Sequence, residues 1–228
     1  MTLDTSFWCG KRVLLTGHTG FKGSWLTYWL NKLQSQVHGF AQIPQTNPSL
    51  FNELELKSSV CHRLGDIQNF DAVQEWLNHA QPEVIFHLAA QPLVRSSYAA
   101  PLQTWRSNLL GTLNLLEAIK IRGKPCAVVI VTTDKVYENR NEQYDYRETD
   151  RLGGKDPYSS SKAAVELAVS SWRASFFDAD TKIRVATARA GNVIGGGDWS
   201  EDRIVPDLVR ALSENRPIRV RNPNAIRP

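Results

Sequence analysis

The stretch Arg12-Val13-Leu14-Leu15-Thr16-Gly17-His18-Thr19-Gly20-Phe21-Lys22-Gly23 decides the reading of the fold. It runs from an apolar strand-like segment through a glycine-rich turn into a segment of helical period. Glycine permits the tight turn, removes a Cβ where backbone must approach a pyrophosphate, and lets a helix pack close to its strand. The helix start then offers unpaired N–H groups and the positive end of its dipole to phosphates. A glycine triplet alone could be an ordinary connection. In this strand–turn–helix context it reads as a dinucleotide site that includes Gly17, Thr19, Gly20, Phe21 and Gly23.

Outward from that turn, strands and helices alternate. Further apolar runs occur at Gln36–Ala41, Val84–Leu88, Ala127–Thr132 and Arg184–Ala190, with Val60–Leu64 a weaker candidate. Nearly continuous apolar strands are those covered on both faces, as in parallel sheets. Trp25, Leu26, Trp29, Leu30 and Leu33 form one helical stripe, and Leu109, Leu113, Leu116 and Ile119 another. The expected architecture is an α/β doubly wound parallel sheet. Pro44–Ser49 reads as a loop. After Gly191 the pattern changes to Gly-rich loops, a helix near Ile204–Leu212 and a short strand-like Ile218–Val220. Residues 1–190 are therefore expected to form the cofactor-binding domain, and residues 191–228 the beginning of a smaller substrate-binding region. The chain stops at Pro228 without a closing element, which reads as a truncated fragment.

Composition narrows the class. The 228 residues are 42% hydrophobic and 22% charged, which is ordinary for a globular protein, and the net charge of +4 is spread rather than gathered into a basic tract. No nucleic-acid partner is expected. Cys9, Cys61 and Cys126 lie far apart with no CxxC and no histidine at ligand spacing, which argues against a disulfide framework and against a zinc site. No signal pattern opens the chain and no apolar run spans a bilayer, leaving the cytoplasm as the expected location without a membrane partner.

The second strand ends in Gln42-Ile43-Pro44-Gln45, with neither an acid for a ribose hydroxyl nor an arginine for a 2′-phosphate. That element leaves NAD and NADP undecided. Asp66 and Ile67 follow the third strand, where an aspartate could accept from an adenine amino group. Ala89, Ala90 and Gln91 end the fourth strand in small residues that let a cofactor lie across it, and Asn108 is grouped with them. His87 reads as a satisfied core histidine.

Pro157-Tyr158-Ser159-Ser160-Ser161-Lys162 opens a helix with Tyr158 and Lys162 one turn apart on one face. A phenol with pKa near about 10 is a poor base at neutral pH. A neighbouring ammonium should stabilise the phenolate and lower that pKa, so that the pair can take a proton from a hydroxyl as hydride leaves the same carbon. The fifth strand ends in Thr132-Thr133-Asp134-Lys135, and ligands in open parallel sheets lie beyond such carboxyl ends. A polar strand terminus with a turn is the competing explanation.

TGHTGFKG, HLAAQPLVR, TTDK, DPYSSSK and RAGNVIGGGDW together resemble the extended short-chain dehydrogenase/reductase superfamily, with its Rossmann-type sheet, and within it the CDP-glucose 4,6-dehydratases. The resemblance implies NAD as cofactor, a nucleotide-sugar substrate and a homodimer built on the Tyr/Lys helix and its predecessor. It assigns Thr133 and Tyr158 to the C4 hydroxyl, Lys162 to the tyrosine and ribose, and Asp134 with Lys135 to elimination. Related dTDP-glucose enzymes carry Glu where this chain has Lys135. It also places Asn192, Arg203, Arg221 and Arg227 on the nucleotide side of the substrate. The alternatives are another NAD-dependent nucleotide-sugar enzyme, whether a dTDP- or GDP-sugar dehydratase, a decarboxylase or a 4-epimerase (which needs only the Tyr/Lys machinery), and a non-catalytic dinucleotide-binding regulator, which would have no use for that pair.

Overall fold

The computed structural model describes residues 5–177, 180–220 and 223–224. Six strands, β1 (Arg12–Thr16), β2 (Gln36–Ala41), β3 (Cys61–Leu64), β4 (Val84–His87), β5 (Cys126–Val131) and β6 (Ile183–Ala188), form one sheet in the order β3-β2-β1-β4-β5-β6. Every pairing is parallel. This is the Rossmann-type doubly wound order, with its switch point between β1 and β4. The weak sixth candidate is real and is the edge strand β3.

The helices are α1 (Phe21–Lys32), the single turn α2 (Leu50–Glu53), α3 (Phe70–Ala80), α4 (Val94–Ala99), α5 (Pro101–Trp105), α6 (Gly111–Arg122), α7 (Pro157–Ser175) and α8 (Ile204–Ser213). A π-helical turn, Arg106–Leu110, joins α5 to α6. The larger core lies on the sheet face that carries Leu14, Phe40, Ile85, Val128 and Ile130. It is covered by Val73 and Leu77 of α3, Leu115, Leu116 and Ile119 of α6, and Val165 and Val169 of α7. Val13, Leu15, Val37 and Val84 face the other way and pack with Leu30 and Leu26 of α1. Side chains alternating to the two faces of covered strands explain why β1 is buried from Val13 to Thr16.

Three expectations need correction. Only part of the α1 stripe faces the sheet: Leu26 and Leu30 do, together with Gly23, Ser24 and Thr27, while Trp25 and Trp29 are exposed. The cause is the close approach of α1 to β1. A Cβ on Gly23 would lie 2.1 Å from the Gly17 carbonyl oxygen, so only small side chains fit the contact and the indoles turn to the flank. The second stripe is also offset. Leu116 and Ile119 are buried but Leu109 and Leu113 only partly, because the π-turn inserts extra rotation before α6 and brings Leu115 inward. Finally, Ile218–Val220 forms no strand and is exposed.

Candidate active site

The glycine turn is built by contacts that tolerate no side chain. Gly17 has φ of +75°, and a Cβ there would lie 2.7 Å from the Ala89 nitrogen, so the β1 turn rests directly on the end of β4. Thr19 donates to the Gln42 carbonyl at 2.8 Å and ties the turn to the end of β2. Gly20 is the N-cap of α1, and no side chain caps that helix. By contrast α3 is capped by Asn69, and α7 by a capping box of Asp156 and Ser159. The first N–H groups of α1 thus keep their capacity for an anionic ligand. Phe21 opens α1 and, with Lys22, Trp25, Leu88, Val193 and Ile194, lines a cleft of about 680 Å³.

Beyond the end of β3, Asp66 accepts from Gln42 Nε2 at 3.0 Å and from the Gln68 backbone at 2.9 Å. Gln42 therefore stands where an acid was sought and is itself bound to an acid on the neighbouring strand end. Ile67 is a core residue whose side chain abuts Gly111 and whose carbonyl accepts from Asn114. Only its backbone N–H could serve a cofactor.

Two assigned cofactor residues prove to be internal braces. Asn108 is fully buried; it accepts from Gln91 N at 2.8 Å and donates to Gln91 O at 3.2 Å and to Ser161 Oγ at 2.8 Å. It locks the end of β4 to α7 and has no surface left for a ligand. Gln91 spends its side chain on Thr104 and on the Leu93 N–H. Ala89 and Ala90 are the partly open members of that strand end.

His87 is satisfied on both sides, as read from the sequence, and its tautomer follows from its neighbours. Thr112 Oγ1 donates to the Asn108 carbonyl at 2.7 Å, so it can only accept from His87 Nε2 at 2.9 Å. Nδ1 is then the acceptor for Thr16 Oγ1 at 2.7 Å, and Thr16 Oγ1 in turn accepts from Ala89 N. Burial, with a smaller push from Lys162, brings the His87 pKa down to about 3, so this relay is neutral.

The catalytic candidates converge beyond β5. Thr133 caps a 3-10 turn, Asp134–Val136, and its hydroxyl donates to Asp134 Oδ1 at 2.9 Å. The capping box and Pro157 start α7 at the point that brings the Tyr158 phenol close enough to Thr133 to be drawn down by it. Lys162 is 4% exposed and donates to the Val131 carbonyl at 3.0 Å. Asp134 lies under Gly191, beside a second, polar cleft of about 540 Å³ that also involves Tyr137, Tyr144 and Arg189.

The electrostatics differ from the sequence expectation. Burial pushes the Tyr158 phenol up; the Thr133 hydrogen bond and Arg203 draw it back, and Asp134 and Asp156 push it further up. Lys162 contributes no depression. Its own pKa falls to about 7, through burial and then Lys22, with Glu166 opposing. A buried lysine aimed at a carbonyl is a conditional cation, not the permanent ammonium assumed. Lys22, held below its usual range by burial and by Arg203, is a basic neighbour whose role the glycine motif alone does not reveal. Its position at the open start of α1 was the available signal.

Sequence reasoning also missed the support beneath the strand end. Glu166 accepts from Thr132 Oγ1 at 2.5 Å and from Arg189, whose Nη1 reaches Tyr137. Of the residues expected on the substrate side, Arg203 pairs with Asp198 at 3.1 Å and acts electrostatically on Tyr158 and Lys22. Asn192 is exposed in the loop after β6. Arg221 and Arg227 lie outside the described residues. The Gly195–Gly197 loop is packed: Trp25 Nε1 donates to Gly196 O at 3.0 Å, and Gly197 sits against Leu50.

Residues 13–228 match the family described as NAD dependent epimerase/dehydratase. The chain is 46% identical over 230 residues to the CDP-glucose 4,6-dehydratase of Salmonella typhimurium, covering 99% of this chain and 64% of that protein. It thus spans less than two thirds of that relative's length. The UDP-glucose 4-epimerase of Thermus thermophilus, solved with NAD, superposes with a TM-score of 0.79 at 27% identity, over 90% of this chain and 64% of that one. A dTDP-glucose 4,6-dehydratase of Bacillus anthracis, also solved with NAD, gives 0.75 at 22% identity, over 90% of this chain and 62% of that one, a likeness of fold.

Proposed function

Because the chain belongs to the NAD-dependent epimerase/dehydratase family, we propose that the full-length protein is a nucleotide-sugar 4,6-dehydratase that converts CDP-glucose to its 4-keto-6-deoxy derivative. The observation that carries the reaction type is the Thr133–Asp134–Tyr158 grouping at the end of β5. Hydride transfer alone requires Tyr158 and its helix; water elimination requires a further acid and base beside the sugar, which Asp134 and Lys135 supply.

NAD fits the open start of α1 and the close seat of Gly17 on Ala89, and when bound it supplies the transient acceptor and donor of hydride. Gly17, Gly20 and the first N–H groups of α1 would hold its pyrophosphate, with Gly23 keeping α1 close against the turn, and Asp66 would face its adenine. Tyr158 takes the proton of the C4 hydroxyl, with Thr133 orienting both oxygens. Lys162 stabilises the phenolate once an anion beside it restores its charge. The resulting 4-keto group acidifies C5, where Asp134 and Lys135 serve proton removal and departure of the C6 hydroxyl as water; return of the C4-derived hydride to C6 and of a proton to C5 then gives the 4-keto-6-deoxy sugar.

Residues 1–190 serve the cofactor, and residues 191–228, with Asn192, Arg203, Arg221 and Arg227, serve the nucleotide. Arginine suits a diphosphate through its parallel donors. The protein is assigned to the cytoplasm, and among the described residues no helix is long and apolar enough to cross a membrane. A homodimer is supported by apolar side chains left exposed around the helical face, Leu102, Leu110 and Leu167 among them.

The test is incubation of the full-length protein with CDP-glucose, followed by the alkaline absorbance of the 4-keto-6-deoxy product. Product from dTDP-glucose but none from CDP-glucose would sink the substrate. A C4 epimer as sole product would sink the reaction type.

A further inference from the structure

On the rim of the sheet away from the cofactor cleft, three side chains of metal-ligating type meet. His38 on β2 and Cys61 on β3 are direct cross-strand partners in the parallel register, so their side chains leave the same face. That face is covered by α3, whose last turn supplies His79. One ligand atom from each of the three lies within 4.8 Å of the others, and Cys61 Sγ stands 3.8 Å from His79 Nε2. We propose that His38, Cys61 and His79 form a binding site for a divalent cation of the zinc type, with a fourth position open to water.

The donor set suits that ion. A thiolate and two neutral imidazoles match a tetrahedral zinc, whose bond lengths place donors about 3.4–3.6 Å apart. The observed spread needs only side-chain adjustment to reach that spacing. His38 Nδ1 is buried without a hydrogen-bond partner, an unsatisfied group that a metal-organised imidazole network would explain. Trp76 stacks on His79 with centroids 4.7 Å apart and fixes that ring. Cys61 and His79 are exposed, so the ion has a path from solvent.

The location gives the ion a structural role. β3 is an edge strand of four residues held by β2 alone, and the three ligands would clamp it to both β2 and α3. The expectation against zinc rested on spacing along the chain. These donors are separated by 23 and 18 residues yet become neighbours by strand pairing and helix return.

The experiment uses the full-length protein, stripped with a chelator and titrated with Co²⁺. The expected result is one equivalent bound with a thiolate-to-cobalt charge-transfer band, displaced by Zn²⁺, and a raised thermal midpoint with Zn²⁺. Cys61→Ser should abolish the band, and His79→Gln should weaken binding about tenfold or more. Cys9→Ser should retain the band, and NAD binding should be unchanged in all three variants. Absence of the band from the parent protein, or its persistence in Cys61→Ser, would overturn the site; neither result touches the dehydratase reading.

Discussion

Arg189, at the exit of β6, grips Glu166 of α7 through two parallel bonds, Nε to Oε1 and Nη2 to Oε2, each 3.0 Å. Thr132, which immediately precedes the candidate catalytic residues, donates to the same carboxylate. Burial pushes Glu166 up, but bonds from Arg189, Thr132 and Thr187 outweigh it and hold the carboxyl below its usual range. The pair therefore fixes the strand end from which Thr133 and Asp134 project.

Removing the guanidinium leaves that carboxylate largely buried and uncompensated. Arg189→Ala should cost about 2–4 kcal/mol, measured by urea unfolding, somewhat less than for a fully buried pair because Arg189 retains some exposure. Glu166→Gln on that background should recover part of the loss. No recovery would mean that packing, not charge, explains the cost.

Tyr158→Phe removes one oxygen from a half-buried side chain on a well-capped helix. Turnover of the full-length enzyme should fall by about 10²–10⁴ with folding and cofactor affinity preserved. Full activity in this variant would rule out Tyr158 as the base.

Gly23→Ala places a Cβ 2.1 Å from the Gly17 carbonyl oxygen, a contact that backbone must move to relieve. Pushing α1 off β1 should cost about 1–3 kcal/mol and weaken NAD binding, which the exposed Trp25 beside the cleft can report by fluorescence. Wild-type affinity would show that the turn has slack the structure does not display.

Acid should destabilise the protein through its buried histidines. His87 falls to about 3 and His18 to about 4, both chiefly by burial, from an ordinary 6.5. Below about 6.5 the unfolded chain binds protons that the folded chain refuses, so stability falls as pH drops towards those values and is regained on return to neutrality. The thermal midpoint against pH should show this decline, and His18→Leu should flatten it. An unchanged slope in that variant would remove His18 from the account.

How much of this was legible in the sequence depends on how local the cause is. Five strands, the glycine turn and the helix opening at Pro157 could be read because apolar runs, backbone freedom and capping act over a few residues. The α1 stripe misled because periodicity reports which residues are apolar, not how near the helix comes to its sheet, and at Gly23 nearness excludes the indoles. Asn108 was grouped with the cofactor residues at the end of β4; only its enclosure between Gln91 and Ser161 shows that its hydrogen bonds are already spent.

The sequence by itself determined the order of elements, the dinucleotide turn and the Tyr158–Lys162 spacing, since each follows from local stereochemistry. Tertiary structure decided the charges. Desolvation and neighbours distant in sequence set Lys162 near 7, raise Tyr158, fix the His87 tautomer and pair Glu166 with Arg189. It also decided which distant donors meet, as His38, Cys61 and His79 do, because strand register and helix return are properties of the packed sheet.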